Sequence, residues 1–204
     1  LEGFRATVQP ALAHEVVHFS GEAVAVVVAS SRRVAEDALE LIEVDYDELP
    51  AVVTVENAMT ESTLANEAVP GNIVYQSRRV QDNVDEAFKT AAVFVESIFL
   101  NIRVNASPME TRGCVARYEW SDGQLTFWTA TQMPGFVRTM IAMFLGFPEQ
   151  NIEVITPAVG GGFGQKAHLH PEELLVCLLA RELQQPVSWI EDRQENLLSA
   201  THAK

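Results

Sequence analysis

Apolar residues repeat along this chain with two periods. In SSRRVAEDALELIEV, Val34, Ala35, Ala38, Leu41 and Ile42 recur at helical spacing opposite Arg32, Glu36, Asp37 and Glu40, and Ser30-Ser31 offers an N-cap. The run EAVAVVVAS before it is β-rich and nearly all apolar, which predicts a strand buried on both faces. VDYDELP after it alternates and stops at Leu49-Pro50, predicting a short strand and so a strand-helix-strand unit. Farther on, DNVDEAFKTA predicts a short helix capped by Asp82 or Asn83, and AVFVESIFLNIRVN is a long β-favouring run. RGCVARYEWSDGQLTFWTAT predicts two strands around Ser121-Asp122-Gly123, since Asp-Gly is a strong hairpin signal.

Between Pro134 and Leu145, Phe136, Val137, Met140, Ile141, Phe144 and Leu145 make a helical stripe that Gly146 and Pro148 end; Phe136 and Met140 are expected in the core. NIEVITPAV predicts a strand, EELLVCLLARELQQ a helix with Pro171 in its first turn, and PVSWIEDR a final strand. Periodicity is weak between about Ala58 and Arg79, where Pro70-Gly71 marks a turn. The expected organisation is α+β: residues 1–58, a linker at 59–80, and a mixed α/β region at 81–204.

Charge narrows the partners. The net charge is -14, and the 14 Lys and Arg are scattered, which argues against nucleic acid. Only Cys114 and Cys177 occur, without a CxxC pair, so neither a disulfide framework nor a zinc site is indicated. No run approaches the ~20 apolar residues needed to span a bilayer, and the first residues lack a signal-peptide pattern, so the expectation is a cytoplasmic chain without a membrane span.

The candidate chemistry lies in VITPAVGGGFGQK, where Gly160, Gly161 and Gly162 precede Phe163 and Gly164. Bare backbone N–H groups can cradle a phosphate, yet GGGFGQK fits neither GxxxxGK[ST] nor GxGxxG. A ligand-free tight turn remains an alternative reading of the glycines alone. Upstream, TATQMPGF puts Gln132 between a strand and a helix, 31 positions before Phe163. Two strand-to-helix junctions on one edge of an α/β layer are where ligands collect, and an uncharged amide suits a neutral oxo or amide partner.

The blocks GEAVAVVVASSRRVAEDALELIEVDYDELPAV, NASPMETRGCVARYE, TATQMPGFVRTMIAMFLGFPEQNIEVITPAVGGGFGQK and PVSWIEDRQENLLSATHAK, in this order, resemble the molybdenum hydroxylases: the molybdopterin-binding large subunits of xanthine dehydrogenase, aldehyde oxidase and aerobic carbon monoxide dehydrogenase type enzymes. The resemblance covers nearly the whole chain, whereas the family's subunits are several times longer. It implies that residues 1–58 are most of an α/β hammerhead domain and that 81–204 open the molybdopterin-binding domain. It implies that Gln132 hydrogen-bonds an oxo ligand of molybdenum. The backbone of Gly160, Gly161, Gly162, Phe163 and Gly164 would approach the metal's other ligands, three missing Cβ atoms giving it room; the dithiolene of the pterin, not a side chain, would hold the metal.

The implied activity is oxidation of a small heterocycle, an aldehyde or carbon monoxide with water as the oxygen source, electrons leaving through FAD and iron–sulfur clusters on partner subunits or domains. Ala167 stands where xanthine-oxidising members carry a glutamate, which leaves purine specificity open. The family's general base is a glutamate near the subunit's C-terminus, beyond Lys204, so no catalytic residue is assigned within this chain. The chain alone is accordingly expected to bind no molybdopterin firmly and to have no turnover. Its partners would be the rest of the large subunit and a second copy through exposed apolar surface. A noncatalytic binding or assembly module and a glycine-loop nucleotide binder are the alternatives.

Other residues have plainer readings. His168 and His170 lack a third ligand at metal spacing and are expected to be loop residues, and His14, His18 and His202 offer no more. Cys114 and Cys177 read as buried small hydrophobes. Glu110 is expected to accept hydrogen bonds from backbone or from Arg112.

Overall fold

The computed structural model describes residues 3–60 and 62–201. Glu61, within the expected linker, and His202 lie outside the described residues. The elements, in order, are α1 (Arg32–Leu39), α2 (Val55–Met59), α3 (Val84–Thr90), β1 (Gly113–Glu119), β2 (Gln124–Thr129), α4 (Pro134–Leu145), β3 (Ile152–Ile155), α5 (Pro171–Leu183), β4 (Val187–Ile190) and α6 (Arg193–Ser199). The chain divides into two compact units, one of residues 1–8 and 45–102 and one of residues 9–44 and 103–204.

The second unit holds the sheet, in the order β3-β2-β1-β4. Asp122 accepts the amide of Gln124 through Oδ1 at 3.1 Å, and the turn sets β1 antiparallel to β2 from Cys114↔Thr129 to Glu119↔Gln124. β4 pairs antiparallel to β1, and β3 lies parallel to β2. The parallel pair matters most for the site, because the chain leaves both strands at the same end. α4 and α5 cover the sheet through Val137, Ile141, Val176, Cys177 and Ala180, which join Ala116, Leu125 and Phe127 in one buried cluster. Cys177 and Cys114 are both in it, as buried small residues, and burial raises both thiols well above their usual range.

α1 forms where the apolar spacing places it, with the Ser31 hydroxyl accepting the amide of Val34. In the first unit, α2 starts at Thr54, whose hydroxyl accepts the amide of Asn57. Asn72, at φ 55°, ties Ala58 and Thr63 through its amide donors. α3 begins where expected, but Asn83 sits at φ 71° with no side-chain cap, so the reading of a capping Asp82 or Asn83 is corrected.

Three predicted strands do not form. Residues 22–29 and 44–49 form no ladder, and 92–105 makes only an isolated bridge at Val104. A strand exists only beside another backbone, and β-propensity records fit to a half-buried pleated surface rather than an intrinsic preference. In the first of these runs, the Ala13 N–H to Ala23 O bond is the one backbone bond to a distant segment among the described residues. In the last, Ile98 is 99% exposed and Phe99 90%. Phe136 is also exposed, not in the core: at one end of α4 it points away from the Val137 and Ile141 face.

Candidate functional site

Gln132 follows β2, and the glycine loop follows β3. Because those strands are parallel neighbours, both junctions open at one end of the sheet, which is where such layers bind ligands. The two segments touch. The amide N–H of Gly164 donates to Gln132 Oε1 at 3.1 Å, and the amide of Gln132 donates to the carbonyl of Lys166 at 2.9 Å. Thr131 Oγ1 donates to the same carbonyl at 3.1 Å and accepts the amide of Met133.

The glycines are bare because protein side chains fill their Cβ positions. A Cβ on Gly162 would lie 2.5 Å from Gln132 Oε1 and 2.6 Å from its Cδ, and one on Gly160 would lie 2.5 Å from Glu110 Cβ. That corrects the reading in which all three missing Cβ atoms make room for a cofactor. Gly161, at φ 95°, is a glycine for its backbone conformation instead. Phe163 sits in the left-handed region too, at φ 50°, with its ring largely exposed. A non-glycine residue there carries strain that the surrounding bonds must hold.

Hydrogen bonding inside the loop is uneven. Gly160 N–H donates to Glu110 Oε2 at 2.8 Å, and Gln165 N–H to the carbonyl of Gly162. Among the described residues, the N–H groups of Gly161, Gly162 and Phe163 and the Nε2 amide of Gln132 have no acceptor. Successive N–H groups in a chain that turns through left-handed residues make a concavity suited to an electronegative guest.

Around the loop lies a buried polar framework. Glu110 accepts the backbone amide of Gly160, one of the two partners expected for it, and takes Lys166 Nζ at 2.7 Å in place of Arg112. Burial works to raise its carboxyl, and the bonds from Lys166 and the Gly160 N–H outweigh this, leaving it below the usual carboxylate range. Arg112 instead meets Glu191 through Nε at 2.8 Å and Glu172 through Nη1 at 3.1 Å, stacked 5.4 Å from the Trp189 ring. Asn196 donates to Glu191 Oε2 and to Gln165 Oε1, and accepts Arg193 Nη1.

His170 is buried, not a simple loop residue: its Nε2 lies 2.9 Å from the carbonyl of Gln165, and its amide donates to Glu173 at the start of α5. Burial first, then the Arg112 charge, lowers His170 to about 3, so the ring is neutral and donates from Nε2. His168 stacks on it and bonds Thr201 Oγ1 at 3.0 Å. No group of three or more His, Cys, Asp or Glu is placed to hold a metal among the described residues. The roles of Arg112, Glu191 and α6 were not read from the sequence. The signal for α6 was present in Asp192 and Glu195, whose reciprocal bonds form a capping box.

A model of the molybdopterin cofactor-binding domain matches residues 65–204, and one of the aldehyde oxidase and xanthine dehydrogenase a/b hammerhead domain matches residues 2–50. The chain belongs to the molybdenum hydroxylase large-subunit family. It is 46% identical over 202 residues to the nicotine 6-hydroxylase large subunit of Paenarthrobacter nicotinovorans, covering 99% of this chain and 25% of that one. Against the carbon monoxide dehydrogenase large chain of Afipia carboxidovorans it is 36% identical, covering 97% and 26%. Its fold superposes on quinoline 2-oxidoreductase from Pseudomonas putida with a TM-score of 0.94 at 60% identity, covering 100% of this chain and 26% of that one. The chain thus spans about a quarter of the length of these relatives. No described helix is long and apolar enough to cross a membrane.

Proposed function

We propose that this chain supplies one wall of the molybdopterin site of a hydroxylase large subunit, and that the enzyme oxidises an N-heteroaromatic ring with water as the oxygen source. One observation carries the site: Gln132 is fixed through Oε1 by the Gly164 amide, while its Nε2 and the N–H groups of Gly161, Gly162 and Phe163 have no acceptor among the described residues. An array of neutral donors without a carboxylate, thiolate or imidazole ligand suits the oxygen and sulfur atoms of a metal held by a pterin, and the residues present fit that group.

Gln132 Nε2 and the three main-chain N–H groups are the donors that would hold the cofactor, and Phe163 would fix their direction through its left-handed backbone. When bound, molybdopterin supplies the two-electron oxidation and the delivery of oxygen from water. The chain's own part is to orient and stabilise negative charge with dipoles that are already in place, which costs no reorganisation during reaction. FAD and iron–sulfur clusters outside this stretch of chain receive the electrons in this proposal; Cys114 and Cys177 are buried in the apolar cluster and do not serve as cluster ligands.

The substrate class rests on the relatives named for quinoline and nicotine, at 60% and 46% identity, above the carbon monoxide dehydrogenase at 36%. A noncatalytic module is not favoured, because these relatives are all named as oxidising enzymes. The test is to purify the intact enzyme, measure molybdenum per subunit, and follow quinoline, nicotine and carbon monoxide oxidation with an artificial electron acceptor in ¹⁸O-labelled water. Stoichiometric molybdenum with label in a hydroxylated heterocycle is expected. Absence of molybdenum, or turnover of carbon monoxide only, would overturn the site or the substrate class respectively.

A further inference from the structure

Lys166 closes the glycine loop on itself. We infer that Lys166 and Glu110 form a clasp that positions Gln132 and the open amides of Gly161, Gly162 and Phe163 for their ligand, as opposed to a bond that holds the domain together. The inference rests on the cofactor site proposed above.

Glu110 Oε2 accepts the amide of Gly160 at 2.8 Å and Lys166 Nζ at 2.7 Å, so residues at both ends of the loop are tied to one atom. The return bond, Glu110 N–H to the Gly160 carbonyl at 3.2 Å, fixes the first end twice. At the second end the Lys166 carbonyl takes the amide of Gln132 and the hydroxyl of Thr131. Gln132 then reaches back through Oε1 to the amide of Gly164. Every bond in this circuit touches the loop or Gln132, and the donors left over among the described residues are Gln132 Nε2 and the N–H groups of Gly161, Gly162 and Phe163.

Charge and burial separate the clasp from ordinary packing. The Lys166 side chain is 1% exposed and that of Glu110 38%. A buried ion pair is weak evidence for stability, because apolar residues of similar volume often serve as well; what it adds is one defined geometry. None of the residues in the buried apolar cluster beneath α4 and α5 belongs to the loop. Removing the Lys166 side chain therefore unties this end of the loop from Glu110, while the Lys166 carbonyl keeps its bonds from the Gln132 amide and the Thr131 hydroxyl.

The experiment uses the intact enzyme with its partner chains, carrying Lys166→Met, Lys166→Arg or Lys166→Met with Glu110→Gln. Molybdenum per subunit is measured by elemental analysis, and amide hydrogen exchange is followed in cofactor-depleted protein. Lys166→Met is expected to lower molybdenum occupancy at least fivefold and to speed exchange at Gly164 at least tenfold, with the amides of β1 unchanged. Lys166→Arg should restore both readouts to within about twofold, because a guanidinium can still reach Glu110.

Unchanged occupancy and unchanged Gly164 exchange in Lys166→Met would overturn the clasp. So would failure of Lys166→Arg to restore either readout. Faster exchange spread equally over the loop and β1, in both Lys166→Met and the double variant, would make the pair an ordinary structural one. An unsubstituted enzyme without molybdenum would sink the cofactor reading, yet Gly164 exchange would still decide whether Lys166 holds the loop.

Discussion

Replacing Gly162 by alanine adds one methyl group and tests the site at its tightest contact. Gly162 has no positive φ, so alanine fits the backbone and the effect is steric alone. The new Cβ would fall 2.5 Å from Gln132 Oε1, 2.6 Å from Cδ and 2.9 Å from Cγ, closer than carbon atoms pack. Gln132 is exposed at the loop and can swing clear, at the cost of its bond to the Gly164 amide, about 0.5–1.5 kcal/mol. For a chain of this size that lowers Tm by about 1–6 °C.

Gly160→Ala is the control. Its Cβ would meet Glu110 Cβ at 2.5 Å, an atom fixed to its own backbone, so relief requires main-chain movement and an overpacking cost of about 1–3 kcal/mol. Denaturant melts and molybdenum analysis of the intact enzyme should show Gly160→Ala the less stable variant and Gly162→Ala a near-normal fold that has lost its cofactor. A Gly162→Ala enzyme with full molybdenum content and a protected Gly164 amide would refute the placement of Gln132.

Further outcomes follow from the buried groups. Arg112→Met leaves Glu191 buried without its cation and should destabilise by about 3–5 kcal/mol, whereas Arg138→Ala, at the half-exposed pair with Glu149, should cost under about 1 kcal/mol in the same melts. His170 is lowered to about 3 from an unfolded value near 6.5, so the folded state prefers the neutral ring; its contribution is complete above about pH 6.5 and falls with pH toward 3, by about 1.4 kcal/mol per unit. Urea melts of wild type against His170→Asn between pH 7 and 4 should converge; parallel curves would exclude the neutral His170. Cys114 and Cys177 should resist a thiol reagent in the native protein at pH 8 and both react once unfolded; fast native modification of either would contradict their burial.

The sequence made local elements legible where one stretch contains both the pattern and its partner. The β1–β2 hairpin has its turn and both strands within GCVARYEWSDGQLTFWT, and α1, α4 and α5 carry their own apolar stripes. Where a strand needed a distant neighbour the pattern misled: Ile98 and Phe99 have β-favouring side chains and no ladder. α6 was missed because its seven residues follow directly on β4, and the strand pattern of PVSWIEDR masked the Asp192 cap. Long-range pairs such as Arg112 with Glu191 leave no periodic trace, since they join positions 79 residues apart.

The glycine run shows how a sequence pattern can demand bare backbone and still leave the cause incomplete. Composition alone said that residues 160–162 need bare backbone, and the natural inference was an external guest. In the fold, Gln132 and Glu110 occupy the space at Gly162 and Gly160, and only Gly161 is bare for its φ. Internal packing accounts for Gly160 and Gly162 but gives no acceptor to the amides between the two bonded ends. Here the two ends are bonded, by Glu110 to Gly160 and by Gln132 to Gly164, and the amides of Gly161, Gly162 and Phe163 between them find no acceptor among the described residues. The glycines admit the side chains that fix the loop, and the fixed loop leaves those N–H groups without an acceptor among the described residues. A single alanine at Gly162 should therefore disturb ligand binding far more than folding.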